Sequence, residues 1–216
     1  MDTENSERCE ETAPAHMRRE LEGGCKARKG TLLILAGALC VFAAMALTAY
    51  NLWDQQRAGL RSEEALSQLV PGGGGLPRES LDGSIGLPVK TVDGYRYVGT
   101  LYLDALGLAL PVQDAVSEDG LRVSPCRYVG SPYSGDMVVA AHNYTVHFGR
   151  IKRLVPGDAV RFVDMDGNEF CYEVSALDVL DPYDVKGMVE PSGWNLTLFT
   201  CTLGGASRIT VRCVGV

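Results

Sequence analysis

The sequence predicts a mainly β domain, closed as a barrel or a sandwich, carried behind one apolar helix. Three observations predict it. Residues 31–50 form a run of 20 without a charge, near the start of a 216-residue chain. A Pro-Gly-Gly-Gly-Gly stretch at 71–75 breaks any helix that continues outward. Beyond it, short runs of strand-forming residues alternate with turn signals every 8–12 residues.

Composition narrows the classes. With 46% hydrophobic and 22% charged residues the chain is ordinary globular material, which excludes wholesale disorder. A net charge of −7 argues against a nucleic-acid partner, which would meet a basic surface. At 1.5 Å per residue the 31–50 run covers about 30 Å, the thickness of a bilayer core. Tyr50 and Trp53 stand at its far end, where amphipathic rings favour the interface. Five basic residues fall in 16–30 and two in 51–65, which places the N-terminus inside and the remainder outside. A cleaved signal peptide is the rival reading, but its apolar region is shorter and nearer the chain start.

The domain reading is therefore a polar cytoplasmic tail over 1–30, a transmembrane anchor over 31–50, a flexible extracytoplasmic linker over 51–80 and a folded unit over 81–216. Leu60, Leu66 and Leu69 among charges let the anchor helix run on for a few turns. In the folded unit, strands are expected at 95–103, 108–112, 137–141, 159–163, 169–179, 195–200 and 208–214. Asp166-Gly167-Asn168 marks a hairpin, and 148–154 has the spacing of a helical turn or two.

Of the seven cysteines, Cys126, Cys171, Cys201 and Cys213 belong to the folded unit. None are spaced as CxxC, so a zinc knuckle is not expected, and no metal or cofactor is called for. The acidic residues Glu118, Asp119 and Asp164 are scattered and read as solvated charge rather than a calcium site. The disulfide state of Cys126, Cys171 and Cys213 stays open.

The chemistry-bearing residues are His142, Cys201 and Arg208. His142 follows the apolar run 138–141, so it emerges at a strand end. Cys201 ends the next-to-last strand, and Arg208 opens the last one after a seven-residue step. A thiol nucleophile needs an acid–base partner and a donor for the developing oxyanion, and these three residues supply those roles. On spacing alone the commoner readings are an inert core cysteine, a surface or structurally hydrogen-bonded histidine and a snorkelling or carboxylate-paired arginine.

The segment Thr197-Leu198-Phe199-Thr200-Cys201 resembles the TLxTC signature of sortases. Arg208-Ile209-Thr210-Val211-Arg212 is similar to the arginine-bearing strand that follows it there, and Ala140-Ala141-His142-Asn143 is similar to the segment carrying the histidine. The order of the three matches, over roughly residues 94–216. The chain departs from the family pattern in having Ala141 where glycine is common, and a short Cys-to-Arg loop.

The resemblance implies an eight-stranded β-barrel with short helices. It implies a cysteine transpeptidase that cuts an LPxTG-like sorting signal between Thr and Gly. Cys201 would form the thioacyl enzyme, His142 would serve as acid and base, and Arg208 would hold the oxyanion or the substrate backbone. Thr200 would help seat the substrate. His142 is preferred to His147, and Arg208 to Arg212. Partners would be secreted proteins bearing the signal, with a peptidoglycan precursor or a pilin amine as acceptor. The location would be the cell membrane, single-pass, with the catalytic domain outside. Residues 181–193 are too short for the long helix of class B enzymes, and Asp181-Pro182-Tyr183 falls too late to be the lid of pilin-polymerising ones. The alternatives are a pilin-polymerising sortase, a thiol peptidase that only hydrolyses, and a non-enzymatic anchored β domain.

Overall fold

The computed structural model describes residues 15–69, 86–190 and 193–216. The expected tether at 71–75 and the domain start near 81 lie outside these residues. A single helix, α1 (Ala15–Gln68), runs through the apolar segment and past it. Residues 15–30, which show no apolar periodicity, are thus helical, and so is the segment expected as linker as far as Gln68. Two compact units divide at Leu52 and Trp53.

The first unit holds the helix long and apolar enough, by length and composition, to cross a membrane. Its side chains from Leu32 to Leu52 are exposed.

The second unit contains the last turns of α1 and a barrel. Along those turns Ala58, Ser62, Ala65 and Leu69 are buried. Their spacing of four, three and four is one helix face. Leu60, apolar but off that face, is 66% exposed. Ala65 and Leu69 pack with Val92, Tyr97 and Met165. Lys90 Nζ donates to the Gln68 carbonyl at 2.8 Å, meeting one of the orphaned acceptors at the helix end.

Nine strands follow: β1 (Lys90–Val92), β2 (Tyr95–Leu103), β3 (Leu108–Gln113), β4 (Cys126–Val129), β5 (Met137–Ala140), β6 (Ala159–Asp164), β7 (Glu169–Leu180), β8 (Leu196–Cys201) and β9 (Arg208–Gly215). Their order is β1-β2-β3-β4-β5-β8-β9-β7-β6, and β6 pairs back onto β2. Eight strands therefore close a barrel, with β1 an extra hairpin arm on β2. Two pairings are parallel, β3 with β4 and β5 with β8. The barrel interior is filled by residues such as Leu101, Val139, Phe162 and Leu198, and by Phe148 and Ile151 from a 3-10 turn, Phe148–Arg153. Gly99 makes room for this packing. A Cβ there would lie 2.3 Å from the Phe162 ring and 2.4 Å from the Val163 carbonyl, so no larger residue fits.

The short elements β1, β4, α2 (Glu118–Leu121) and α3 (Val185–Val189) were not expected. Each is three to five residues long and shows no period of its own. Neighbours impose them: β4 meets β3 at a single pair, Gln113 with Cys126. α3 covers the outer face of the barrel, where Met188 packs with Val138, Ala140 and Phe199.

Candidate active site

Strand parity decides what faces outward. In β5, Met137 and Val139 belong to the interior, and Val138 and Ala140 to the outer cluster beneath α3. In β8, Leu196 and Leu198 point in and Phe199 points out. Because strand side chains alternate, Cys201 shares the outer face with Phe199. β5 and β8 run parallel, with Ala140 beside Phe199. Ala141 N donates to the Phe199 carbonyl at 3.2 Å, which carries the ladder one residue further. His142 and Cys201 are the next residues out on these adjacent strands, both at carboxyl ends. Arg208 is the direct antiparallel partner of Cys201.

Thr200 sits immediately inside this row. It is 1% exposed, and its Oγ1 donates to the Ala141 carbonyl at 2.8 Å. Its hydroxyl is thus committed to stitching β8 to β5, where a substrate contact was expected of it.

The step from Cys201 to Arg208 is closed by a tight turn. Thr202 N donates to the Ser207 carbonyl at 2.9 Å, and Ser207 N returns to Thr202 Oγ1 at 3.0 Å. Gly204 and Gly205 take φ of 80° and 75°, the left-handed region that side chains avoid. Arg208 Nη1 reaches the carbonyls of Gly205 and Ser207 at 3.2 and 3.3 Å. Nε and Nη2 have no partner among the described residues, so part of the donor fork is available for an oxyanion.

Arg212 shares this face but is consumed. It is 3% exposed, and its guanidinium donates to the carbonyls of Gly187 (2.5 Å) and Met188 (3.3 Å), to Thr197 Oγ1 (3.1 Å) and to Asp178 Oδ2 (3.3 Å). It pins α3 to the barrel.

The two histidines of the domain also differ. Burial holds the His142 pKa below the usual imidazole value, aided by the Arg122 charge and opposed by Asp54 and Glu118. The ring is half-buried and is neutral at neutral pH, ready to accept a proton. His147 is fully buried, and its ring nitrogens make no close hydrogen bond beyond a weak contact with the Val123 backbone. Burial and the neighbouring His142 push its pKa down to about 4, with the Val123 backbone opposing. It is packed as a hydrophobe. Cys201 is a half-exposed free thiol. Cys126 and Cys213 are free and buried, with pKa values pushed up by burial to about 11 and about 12. Among the described residues no group of three His, Cys, Asp or Glu side chains gathers as a metal site would require.

A family model described as the sortase domain matches residues 101–216, just over half of the chain. The chain belongs to the sortase family. Solved sortases share the fold. Streptococcus agalactiae sortase C1 superposes with a TM-score of 0.51 at 20% identity, covering 56% of this chain and 67% of that one. Sortase C-1 from Actinomyces oris gives 0.51 at 19%, covering 56% and 74%. Sortase C1 of the GBS pilus island 1 gives 0.53 at 18%, covering 65% and 77%. None of the curated proteins matches the chain. Membership makes it a cysteine transpeptidase in kind, on the eight-stranded barrel that sortases share.

What sequence reading missed is the surrounding of His142. Asp54, Glu118, Arg122 and Tyr144 all bear on it. Asp54 is 88 residues away in the chain, and no local pattern marks it.

Proposed function

We propose that this sortase is a membrane-anchored transpeptidase that cleaves an LPxTG-like sorting signal between Thr and Gly and passes the protein to an amine of the cell wall. The observation that carries the reading is the row of three. His142 and Cys201 end adjacent parallel strands on one face, and Arg208 is register partner to Cys201.

The chemistry balances with these residues alone. His142 takes the Cys201 proton, and the thiolate attacks the Thr carbonyl carbon. The oxyanion that forms accepts hydrogen bonds from the free side of the Arg208 fork. The intermediate collapses, the C–N bond to Gly breaks, and the imidazolium gives its proton to the departing amine. A thioester to Cys201 remains. The incoming amine attacks it, His142 takes the amine proton, and the thiolate leaves. Residues 31–50 would hold the barrel outside the membrane near both substrates, which raises their effective concentration.

The test uses the full chain in detergent micelles with a library of Leu-Pro-x-Thr-Gly peptides and triglycine, read by mass spectrometry. The expected result is an acyl adduct on Cys201 and an amine-capped product, both lost in Cys201→Ala and in His142→Ala. Activity that survives Cys201→Ala, or that is lost in His147→Ala and kept in His142→Ala, overturns the assignment. Cleavage by water alone points to a thiol peptidase. A second reading, polymerisation of pilins through a lysine amine, draws support from the class C names of the structural neighbours. Capping by a lysine peptide in preference to triglycine selects it.

A further inference from the structure

The last turns of α1 grip the loop that carries His142. Asp54 Oδ2 accepts the Tyr144 hydroxyl at 2.6 Å. Gln55 Oε1 accepts from Thr145 N at 3.2 Å and from Thr145 Oγ1 at 3.0 Å. One turn on, a Cβ at Gly59 would touch the Val146 side chain at 3.4 Å. Three consecutive loop residues are thus held by one stretch of helix. The loop is also folded tightly on itself. Gly149 N donates to the Tyr144 carbonyl at 2.8 Å, and Phe148 N to the His142 carbonyl at 3.3 Å.

Tyr144 passes this grip to the imidazole. Its ring lies 5.1 Å from the His142 ring, tilted by 42°, and 5.6 Å from the His147 ring on its other contact. A phenol fixed at its hydroxyl by a carboxylate cannot swing away from the ring it touches. A free tyrosine there would leave His142 to choose its own rotamer. Reaction geometry is steep in such displacements, since errors of about 1 Å cost on the order of 100-fold in rate.

We infer that Asp54 is a positioning residue for His142, acting through the Tyr144 hydroxyl and ring. The inference rests on His142 being the acid–base group proposed above. It gives the helix that enters the barrel unit a part in the chemistry. It also means that a barrel cut free of residues 53–69 loses the hold on its histidine.

Charge gives an independent handle. The charged groups acting on His142 are Asp54 from α1 and Glu118 and Arg122 around α2, while His147 on its own loop stays neutral over the same range. Asp54 favours the protonated ring against burial and Arg122. Removing its charge while keeping its shape lowers the His142 midpoint further.

The experiment compares the full-length wild type with Asp54→Asn, Tyr144→Phe and the double variant in micelles. Transfer rates are measured alongside NMR titration of the imidazole resonances of histidine-labelled protein. The expected result is a kcat lower by about 10- to 100-fold in each single variant, with KM little changed. The double variant is no worse than either single one. The His142 titration moves to lower pH in Asp54→Asn, and thermal unfolding is unchanged. Wild-type kcat in both single variants, with an unmoved His142 titration, overturns the inference while the sortase reading stands on Cys201→Ala. If the wild type itself transfers nothing, the titration still decides, because it needs no substrate. Should Asp54→Asn unfold, Tyr144→Phe, which removes one hydroxyl, answers the same question.

Discussion

Arg208 and Arg212 share one face of β9, four residues apart, yet they meet opposite surroundings. Arg212 is closed in by α3, Trp194 and Thr197, and its donors go to two backbone carbonyls, a hydroxyl and a carboxylate. Arg208 stands where the sheet runs out, against a glycine turn that covers one edge of its fork. The same side chain is a structural rivet at one end of the strand and an open donor at the other. What separates them is coverage. α3 reaches the Arg212 end and stops short of the Cys201 row.

The largest expected effect breaks the rivet. Arg212→Ala leaves the Gly187 and Met188 carbonyls without their donor and should cost about 3 kcal/mol of stability, read as a lower urea midpoint. Arg212→Lys restores little of it, because a point charge cannot satisfy the spread of acceptors. Arg208→Ala should do the reverse. Transfer falls on the order of 10²- to 10³-fold, while stability moves by less than about 0.5 kcal/mol. If Arg212→Ala loses chemistry at full stability, the two roles are exchanged.

The histidines sharpen the same contrast. An unfolded His147 binds a proton near pH 6.5, and the folded one resists until about 4. Between these values the unfolded state carries the extra proton, so stability is fully present above 6.5 and is lost as pH falls towards 4. The loss approaches about 3 kcal/mol. His147→Leu should reduce this slope, seen as a smaller difference between the urea midpoints at pH 7 and 5, with the remainder coming from groups such as His142, and leave transfer intact. The smallest effect is Thr200→Val, which keeps the β-branched shape and removes the bond to Ala141. It should cost about 1 kcal/mol, with a small drop in kcat as the Cys201 and His142 strand ends loosen.

The parts legible in the sequence share a cause. β2, β6, β7, β8 and β9 are long enough for β-branched and aromatic residues to accumulate, and glycine or proline marks their ends. Thr197 to Cys201 could be recognised because the segment resembles the TLxTC signature of the family to which the chain belongs. Thr200 was harder to read. Its hydroxyl turns inward to Ala141, and the residue type alone does not distinguish a strand tie from a substrate contact. Ala58, Ser62, Ala65 and Leu69 do trace one helix face, but two are alanine and one is serine, so hydropathy alone hides it. Asp54 and Tyr144 carry no signal, since their bond spans 90 residues and depends on where the finished barrel meets the helix.

The order of the strands has a consequence for how activity appears during folding. Without β8 and β9 the sheet ends at β5 on one side and β7 on the other, two open edges. The hairpin of β8 and β9 fills that gap, pairing with β5 across nearly sixty residues of chain and with β7 along its length. Such distant pairings are slow to form, because loop-closure entropy must be met before any contact rewards it. That hairpin carries both the thiol and the arginine. If Cys201 and Arg208 act as proposed, a chain that has not yet closed the barrel through β8 and β9 has no assembled nucleophile, and acyl transfer waits on that seam.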